Sequence, residues 1–314
     1  MKKELFHRFP GNPVLTAAQW PEMVNTVFNP GVVVHEGETL LLVRVEDRTG
    51  LSRLCVARSA DGLTDWKIEN ERGMVPITES FSEKWGIEDP RITRCEDGLA
   101  DGYMITYTGF SEGGPLVCLA STRDFVTFER KGVLMPPEDK DAALFPCRFD
   151  GRWALLHRPV PNYAQMGAHI WISFSPDLRH WGDMTLLLPA ERGGLWDTGK
   201  IGLGPPPLET DHGWLICYHG VKSTAAGAIY RLGLALLDRD DPRKVLARSS
   251  EWVFGPEAPY EQAGDVPNVV FPCGWVVDAD GDSIRMYYGA ADTSIGVATA
   301  SVRGLLDHLH RHRR

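Results

Sequence analysis

A repeated pair of short apolar segments is the feature that most constrains the fold of this chain. Five such segments recur roughly 50 to 70 residues apart, a period typical of stacked β-units. The first members of the five pairs are "LLLVRVED", "YMITYTGF", "WALLHRPV", "WLICYHGV" and "IRMYYGAAD". The second members are "LCVARSADGLTDW", "VCLASTRDFVTF", "IWISFSPDLRHW", "LGLALLDRDDPRKV" and "IGVATASVRGLL". Both sets are rich in β-branched and aromatic residues, and most segments end at turn residues, so each pair is predicted to be a hairpin.

Five repeated hairpins predict an all-β fold, a five-bladed β-propeller. A pair of stacked β-sandwiches is the alternative that the same pattern leaves open. Only the tail "RGLLDHLHRHRR" has a helical pattern, which predicts a short C-terminal helix. No linker divides the chain, so residues 1–314 are predicted to form one catalytic domain.

Composition and charge exclude several classes of partner. The net charge of −9 disfavours nucleic acid, since binding to a phosphate backbone needs a basic surface. The sequence contains no run of about 18 apolar residues, so no membrane span is predicted. The first residues, "MKKELFHRFPGNP", lack an apolar signal core, and the six scattered cysteines favour buried, reduced thiols. We therefore expect a cytoplasmic protein with no metal site.

Polar residues end the first segment of each repeat, and in a propeller these positions are predicted to meet at the central channel. The set comprises Arg44, Glu46, Asp47, Tyr107, His157, Arg158, Tyr218, His219, Tyr287 and Asp292. Five of these fall at matching places in the five segments: Arg44, Tyr107, His157, Tyr218 and Tyr287. Carboxylates in turns and at strand ends fit glycoside cleavage, which needs a carboxylic acid to protonate the leaving oxygen. For each of them, an Asp that merely stabilises a turn is the alternative, and "DRTG" makes it strong for Asp47.

Cationic and hydrogen-bonding residues form a second candidate group. Its members are Lys140, Arg158, Lys200, His219 and Tyr230. If they converge, they form a pocket suited to a small dianion, because Arg offers a planar fork and Lys a point charge. Solvation at the surface is the alternative for Lys140.

The motifs of the chain resemble those of glycoside hydrolase family 130, the mannoside phosphorylases and mannosidases. The matching segments run from about Asn25 to Ala300 and include "VNTVFNPGVV", "VRVEDRTG", "GIEDPRIT", "DKDAALFP", "LLHRP", "WDTGKIGLGPPP", "YHGV", "EAPYEQAGDVPNVVFPCG" and "YYGAADTSIGVATA". The fold of the family is a five-bladed propeller, in agreement with the repeat.

The resemblance implies a role for each matching residue. Asp89, in "EDPR", is implied to be the catalytic acid. Glu88 is expected to be structural or to line the site, Pro90 to stiffen the turn, and Arg91 to be solvated or to orient the loop. The implied phosphate ligands are Lys140, Arg158, Lys200, His219 and Tyr230. The implied ligands of the mannosyl unit are Asn29, Arg44 and Asp292.

The resemblance also implies the reaction. Asp89 supplies a proton to the leaving oxygen through the 3-hydroxyl of the mannosyl unit, and inorganic phosphate, the only co-substrate, attacks from the opposite face. The product is α-mannose 1-phosphate, and phosphate needs no protein base. Three alternatives are a hydrolytic mannosidase of the same fold, a noncatalytic sugar-binding propeller, and a five-bladed glycosidase acting on arabinans or fructans.

Substrate preference is less constrained. β-1,4-mannooligosaccharides are the first expectation, and β-1,2-mannosides, mannosyl-glucose and mannosyl-N-acetylglucosamine are alternatives. The acceptor sugar is expected to contact the loops "PNYAQMG" and "ITESFSEKW". Trp85 and Tyr107 are candidates for stacking on sugars, with core packing as the alternative. A homo-oligomer is compatible with the sequence.

Overall fold

Five antiparallel sheets form the molecule. The computed structural model describes residues 5–97, 102–160 and 167–313. The strands of the first blade are Thr26–His35, Glu38–Glu46, Ser52–Ser59 and Lys67–Met74. Those of the second are Ile87–Cys95, Gly102–Gly109, Leu116–Thr122 and Glu129–Met135. Those of the third are Asp139–Phe149, Arg152–Pro159, Ile170–Ser175 and Gly182–Leu188. Those of the fourth are Lys200–Leu203, Leu208–Thr210, Gly213–Thr224, Gly227–Leu237 and Val245–Arg248.

The fifth blade joins the two ends of the chain. Its strands are Val270–Val277, Ser283–Ala290 and Ser294–Ser301, together with the early segments His7–Arg8 and Leu15–Thr16. Both early segments pair with Ser294–Ser301, so the beginning of the chain forms the outer edge of the last blade. This pairing closes the ring of blades. The predicted five-bladed β-propeller is therefore confirmed.

Alternate residues of one strand pack against different neighbouring blades. In Glu38–Glu46, Leu41 and Val43 contact the core shared with the fifth blade, which includes Val297. Leu40 and Leu42 contact the core shared with the second blade instead. Successive side chains of a strand point to opposite faces, and here both faces are covered. This is why the strand is a continuous apolar run rather than an alternating one.

Three short helices accompany the sheets: a 3-10 helix at Ala17–Gln19, and α-helices at Pro259–Gln262 and Val302–Arg311. The last confirms the predicted C-terminal helix. It begins after Ser301, whose hydroxyl accepts a hydrogen bond from the Gly304 N–H at 3.1 Å, a typical N-cap. Its apolar face, which includes Leu305 and Leu309, is buried against the fourth and fifth blades. Within the described residues no helix is both long and apolar enough to cross a membrane.

The first strand of each blade lies next to the channel. These inner strands are Thr26–His35, Ile87–Cys95, Asp139–Phe149, Lys200–Leu203 and Val270–Val277. Inner strands of neighbouring blades contact one another, as Thr26–His35 does with Val270–Val277 on one side and with Ile87–Cys95 on the other. The apolar runs that define the sequence repeat, such as "LLLVRVED", are the second strands. The sequence analysis placed the ends of these runs at the central channel, which would make them the innermost strands. This expectation was wrong, because the strand that precedes each run is the innermost one.

Candidate active site

A β-bulge recurs at the same place in the inner strands of the first three blades. In each, two residues of the inner strand lie opposite one residue of the second strand. The first residue of each bulge has a left-handed backbone: Asn29 (φ 45°), Asp89 (φ 51°) and Asp141 (φ 56°). Asn and Asp adopt this conformation more readily than most residues, and bulges redirect side chains. The repeat therefore places three short polar side chains in one buried site.

Asp89 is held by donors on both of its oxygens. Its Oδ1 accepts hydrogen bonds from Asn29 Nδ2 at 2.8 Å and from Arg44 Nη1 at 3.1 Å. Lys140 Nζ lies 3.5 Å from Oδ2. The residue is only 2% exposed. Burial favours the neutral acid, but Lys140 and Arg44 outweigh burial and hold the pKa of Asp89 below its ordinary value. These contacts thus favour the ionised carboxylate.

The two charged residues near Asp89 in its own strand have structural contacts: Glu88 holds Arg44, and Arg91 holds backbone carbonyl groups. Arg44 Nη2 donates to Glu88 Oε1 at 3.1 Å, so Glu88 anchors a site residue. Arg91 is 1% exposed and donates to the carbonyl oxygens of Leu203 and Gly204, both at 2.8 Å, and of Asp89 at 3.0 Å. The solvated interpretation of Arg91 is therefore wrong. Its guanidinium ties the bulge of the second blade to the fourth.

Asp292 adds a second carboxyl group beside Asp89. We call the group formed by Asn29, Arg44, Asp89, Lys140 and Asp292 the acid site. It follows the strand Ser283–Ala290 and has a left-handed backbone with φ 50°. Burial, followed by the negative charge of Asp89, raises the pKa of Asp292 to about 6. Among the described residues its side chain has no hydrogen-bond partner, so its oxygens are available to a ligand. Two carboxyl groups in one site thus have opposite pKa shifts, a pattern common at catalytic centres.

Asp141 is the centre of the cationic group. Its Oδ2 accepts hydrogen bonds from Arg158 Nε at 2.9 Å and Nη2 at 2.8 Å. Arg91 Nη2 lies 3.7 Å from its Oδ1, and His219 Nε2 lies 3.5 Å from its Oδ2. Burial raises the pKa of Asp141, but Arg158 and then Lys140 outweigh burial, so the net shift is downward. Asp141 is therefore an anion that fixes the orientation of the cations around it.

Two further residues, Lys200 and Tyr230, complete what we call the anion pocket, which is defined by Asp141, Arg158, Lys200, His219 and Tyr230. Lys200 Nζ lies 5.6 Å from the centroid of the Tyr230 ring, and the ring centroids of His219 and Tyr230 are 5.7 Å apart. Burial lowers the pKa of His219 to about 3, so its imidazole is neutral. The positive charge of the anion pocket therefore comes from Lys200 and Arg158. Lys140 lies at the boundary between this pocket and the acid site.

The lack of a side chain at Gly202 allows Asp141 and His219 to lie close together in the anion pocket. A Cβ atom at this position would lie 2.3 Å from Asp141 Oδ2 and 2.5 Å from His219 Cε1. Both distances are shorter than real Cβ contacts, and both neighbours are buried. The absence of a side chain at Gly202 is thus a condition for the approach of Asp141 and His219.

The structure brings together the nine residues predicted for catalysis and binding. Those near the acid are Asn29, Arg44, Asp89, Lys140 and Asp292, and those of the anion pocket are Arg158, Lys200, His219 and Tyr230. Sequence reasoning missed the central position of Asp141, whereas the contacts of Arg91 fit the alternative that it orients the loop. The signal for Asp141 was the recurrence of Asn or Asp at the first bulge position, in "NPG", "DPR" and "DAA".

Four of the predicted channel residues lie elsewhere. Tyr107, His157, Tyr218 and Tyr287 are all buried on the second strands. Tyr107 donates to Glu83 at 2.7 Å, which confirms the core-packing interpretation of this residue. Arg44 lies opposite Phe28 and Arg158 lies opposite Lys140, so these two arginines occupy equivalent positions in the first and third blades. The sequence comparison had matched Arg44 with His157, which is one residue away from this position. A shift of one residue moves a strand side chain to the opposite face.

The remaining predicted features have separate outcomes. Asp47 Oδ1 accepts hydrogen bonds from the backbone N–H groups of Thr49 at 2.7 Å and Leu51 at 3.1 Å, so the turn interpretation is confirmed. Trp85 is 46% exposed and contacts the ring of Phe110. The loop "PNYAQMG", apart from its final glycine, lies outside the described residues. All six cysteines are free, and five of them are buried.

The fold and the site together define a class of protein: a five-bladed propeller with a buried, hydrogen-bonded carboxyl group beside a pocket lined by cations, an arrangement suited to glycoside cleavage. Comparison with known proteins makes the assignment specific. Residues 4–311 match the family Glyco_hydro_130, described as beta-1,4-mannooligosaccharide phosphorylase, and the chain belongs to this family.

Individual relatives cover nearly the whole chain. The 1,2-beta-oligomannan phosphorylase of Thermoanaerobacter sp. (strain X514) is 38% identical over 89% of this chain and 91% of the relative. The beta-1,4-mannooligosaccharide phosphorylase of Ruminococcus albus is 34% identical over 99% and 92%. A solved structure, beta-1,2-mannobiose phosphorylase from Listeria innocua in complex with beta-1,2-mannobiose, has a TM-score of 0.88, 32% identity, and coverage of 98% and 99%. The prediction of a glycoside phosphorylase is confirmed.

Proposed function

We propose that the protein is an inverting phosphorylase of β-mannosides. It removes the nonreducing-end β-mannosyl unit with inorganic phosphate and releases α-D-mannose 1-phosphate. The observation that carries this proposal is the anion pocket beside Asp89, in which Arg158 is fixed on Asp141 and Lys200 lies over the Tyr230 ring, close to the neutral His219. A pocket with preorganised cations favours an anionic nucleophile over water.

In the proposed reaction, the mannosyl unit binds among Asn29, Arg44 and Asp292. Asp89, once protonated, gives its proton to the 3-hydroxyl of that unit, which passes a proton to the leaving glycosidic oxygen. The bond from the anomeric carbon to that oxygen breaks as a phosphate oxygen bonds from the opposite face. One displacement inverts the anomeric centre, and phosphate needs no base because it is already anionic.

Hydrolysis by the same site is the main alternative. Water would need a carboxylate base on the face opposite the acid. Glu88 is engaged by Arg44 at 3.1 Å, and Asp292 belongs to the acid site, where the charge of Asp89 opposes its ionisation. The pocket that faces the nucleophile is instead built from cations around Asp141. This arrangement supports phosphorolysis.

Two linkages are candidates for the substrate. β-1,4-mannooligosaccharides are the first, in line with the description of the matching family. β-1,2-mannosides are the second, because the relative named for β-1,2-oligomannan has 38% identity, against 34% for the relative named for the β-1,4 linkage. Both are mannosyl donors for the same acid and phosphate groups, so the reaction proposed is common to the two.

The test is an assay of β-1,4- and β-1,2-mannobiose, each with and without inorganic phosphate, with mannose 1-phosphate and free mannose measured separately. Phosphate-dependent formation of α-mannose 1-phosphate supports the proposal, and the faster disaccharide identifies the linkage. Release of free mannose at the same rate without phosphate would show a hydrolase.

A further inference from the structure

Lys140 lies between the two ionised carboxylates of the site. Its Nζ is 3.5 Å from Asp89 Oδ2, and it directly precedes Asp141 in the inner strand of the third blade. It also lies opposite Arg158 in the strand register. The charges of Asp89 and Asp141 outweigh the effect of burial and raise the pKa of Lys140. One lysine therefore belongs to both the acid site and the anion pocket.

The contacts of Asp89 do not suit an acid catalyst. Asp89 receives hydrogen bonds from Asn29 and Arg44 and faces the ammonium group of Lys140. All three contacts favour the carboxylate over the carboxylic acid. A general acid must carry a proton when the glycosidic bond breaks. Some event during the reaction cycle must weaken these contacts.

We propose that Lys140 couples occupancy of the anion pocket to protonation of Asp89, so that bound phosphate prepares the acid. This inference rests on the proposed function, because it takes phosphate to be the anion. A dianion between Lys140, Arg158 and Lys200 attracts the Lys140 ammonium group away from Asp89 Oδ2. Asp89 then takes one proton from solvent, and no covalent bond changes in this step.

Two electrostatic effects act in the same direction. Withdrawal of Lys140 removes the charge that contributes most to keeping Asp89 ionised. The dianion also brings negative charge close to Asp89, and a like charge disfavours ionisation. The side chain of Lys140 is 23% exposed, whereas that of Arg158 is 4% exposed and is fixed on Asp141. Lys140 therefore has the freedom to move that Arg158 lacks.

Other ionisable groups surround Asp89 and bear on its titration. They are Arg44 from the first blade, Glu88 and Arg91 from its own strand, Asp292 and Cys273 from the fifth blade, and Lys140 from the third. Arg44 is held by Glu88 and Ser52, and Arg91 by backbone carbonyls. Among the cations near Asp89, Lys140 is the one without such anchoring among the described residues.

This coupling explains a preference for phosphate over water. Water in the anion pocket carries no charge, so it neither attracts Lys140 nor opposes ionisation of Asp89. The acid then stays deprotonated while water occupies the pocket, and hydrolysis of the bound mannoside is suppressed. Lys140 is thus a specificity-determining residue in addition to an anion ligand.

The experiment is calorimetric titration of the wild-type protein with phosphate and with sulfate near pH 6, in two buffers that differ in ionisation enthalpy. Sulfate does not titrate in this range, so proton exchange on its binding reports on the protein. We expect sulfate binding with net proton uptake in the wild type, and binding without that uptake in Asp89→Asn. Lys140→Met should bind the anions more weakly and take up less proton. Lys244→Met, at an exposed surface lysine, should match the wild type.

The outcomes separate this inference from the proposed function. Anion binding with no proton uptake in the wild type would overturn the coupling and leave the phosphorylase proposal intact. Uptake that persists in Asp89→Asn but disappears in Asp292→Asn would assign the proton to Asp292 and also overturn it. If neither anion binds, the anion pocket itself is wrong, and both proposals fall.

Discussion

Asn29 and Asp89 occupy equivalent bulges in neighbouring blades, and the amide of the first donates a 2.8 Å hydrogen bond to the carboxylate of the second. Both have left-handed backbones, and a proline follows each. The repeat therefore supplies both the proposed acid and a residue that fixes its orientation. The same position in the third blade holds Asp141, so one backbone feature serves the acid site and the anion pocket.

Asp89→Asn should abolish most phosphorolysis of mannobiose. The amide keeps the size of the side chain but has no acidic proton to give, and loss of a general acid costs about 10²- to 10⁴-fold in rate. An aryl β-mannoside with a good leaving group should lose much less, because its leaving oxygen needs little protonation. Initial rates with both substrates at saturating phosphate check this.

Asp47→Asn is the matched control for that substitution. Asp47 is also next to a glutamate, but it accepts backbone hydrogen bonds in a turn. An Asn at this position keeps an acceptor oxygen, so we expect rates close to those of the wild type. Equal loss in both variants would show that Asp89 acts through structure rather than as the acid.

Asp292→Asn should stabilise the fold at pH 8 but not at pH 4. The pKa of Asp292 is raised to about 6 by burial and by Asp89, so the native state favours its protonated form. Its favourable contribution is present below the unfolded-state pKa and is lost as pH rises through about 6. The gain at pH 8 should be ~1–3 kcal/mol, since each pKa unit corresponds to ~1.4 kcal/mol. Urea unfolding at the two pH values measures it, and a gain equal at both would contradict the shift.

The sequence was sufficient for the fold, and it predicted nine site residues that the structure brings together. Recurring, nearly continuous apolar segments predicted the five blades, because strands that are covered on both faces are apolar along their length. The resemblance carried by "EDPR" predicted Asp89 as the acid among many carboxyl groups. What the sequence did not reveal is the strand register. Arg44 was matched with Tyr107 and His157, although its structural equivalent in the third blade is Arg158.

The roles of individual contacts also needed the structure. Lys140 and Lys200 look alike in sequence, but only Lys140 lies within 3.5 Å of Asp89. Asp141 looked like one carboxylate of several, and its importance depends on three groups brought from other strands: Arg91, Arg158 and His219. Such long-range convergence is set by blade packing, which a local pattern does not encode.

Gly202→Ala should selectively weaken phosphate binding. The added Cβ would meet Asp141 and His219 at 2.3 and 2.5 Å, so one of these buried groups must move. We expect the KM for phosphate to rise about tenfold or more, since disturbing hydrogen bonds to charged groups costs ~1.5–3 kcal/mol. The KM for the mannoside should change little. Gly182→Ala is the control, because its Cβ would meet no atom within 4 Å.

His157→Leu should lower both stability and phosphate affinity. His157 Nδ1 lies 2.5 Å from Asp139 Oδ2, its Nε2 lies 2.8 Å from Ser173 Oγ, and all three residues are buried. Asp139 Oδ1 also accepts a 3.0 Å hydrogen bond from the backbone N–H of Arg158, which links the His157–Asp139 pair to the anion pocket. Leu leaves a buried carboxylate without its partner, and breaking such a pair costs about 3–5 kcal/mol.

Two comparisons separate these effects of His157. Ser173→Ala removes only the outer hydrogen bond, so it should cost about 1 kcal/mol and leave the KM for phosphate unchanged. His157→Asn keeps a donor that can face Asp139 and should recover part of both losses. Urea unfolding and the KM for each substrate test the set. If His157→Leu is destabilised while its KM for phosphate equals that of the wild type, the pair stabilises the blade but does not position Arg158.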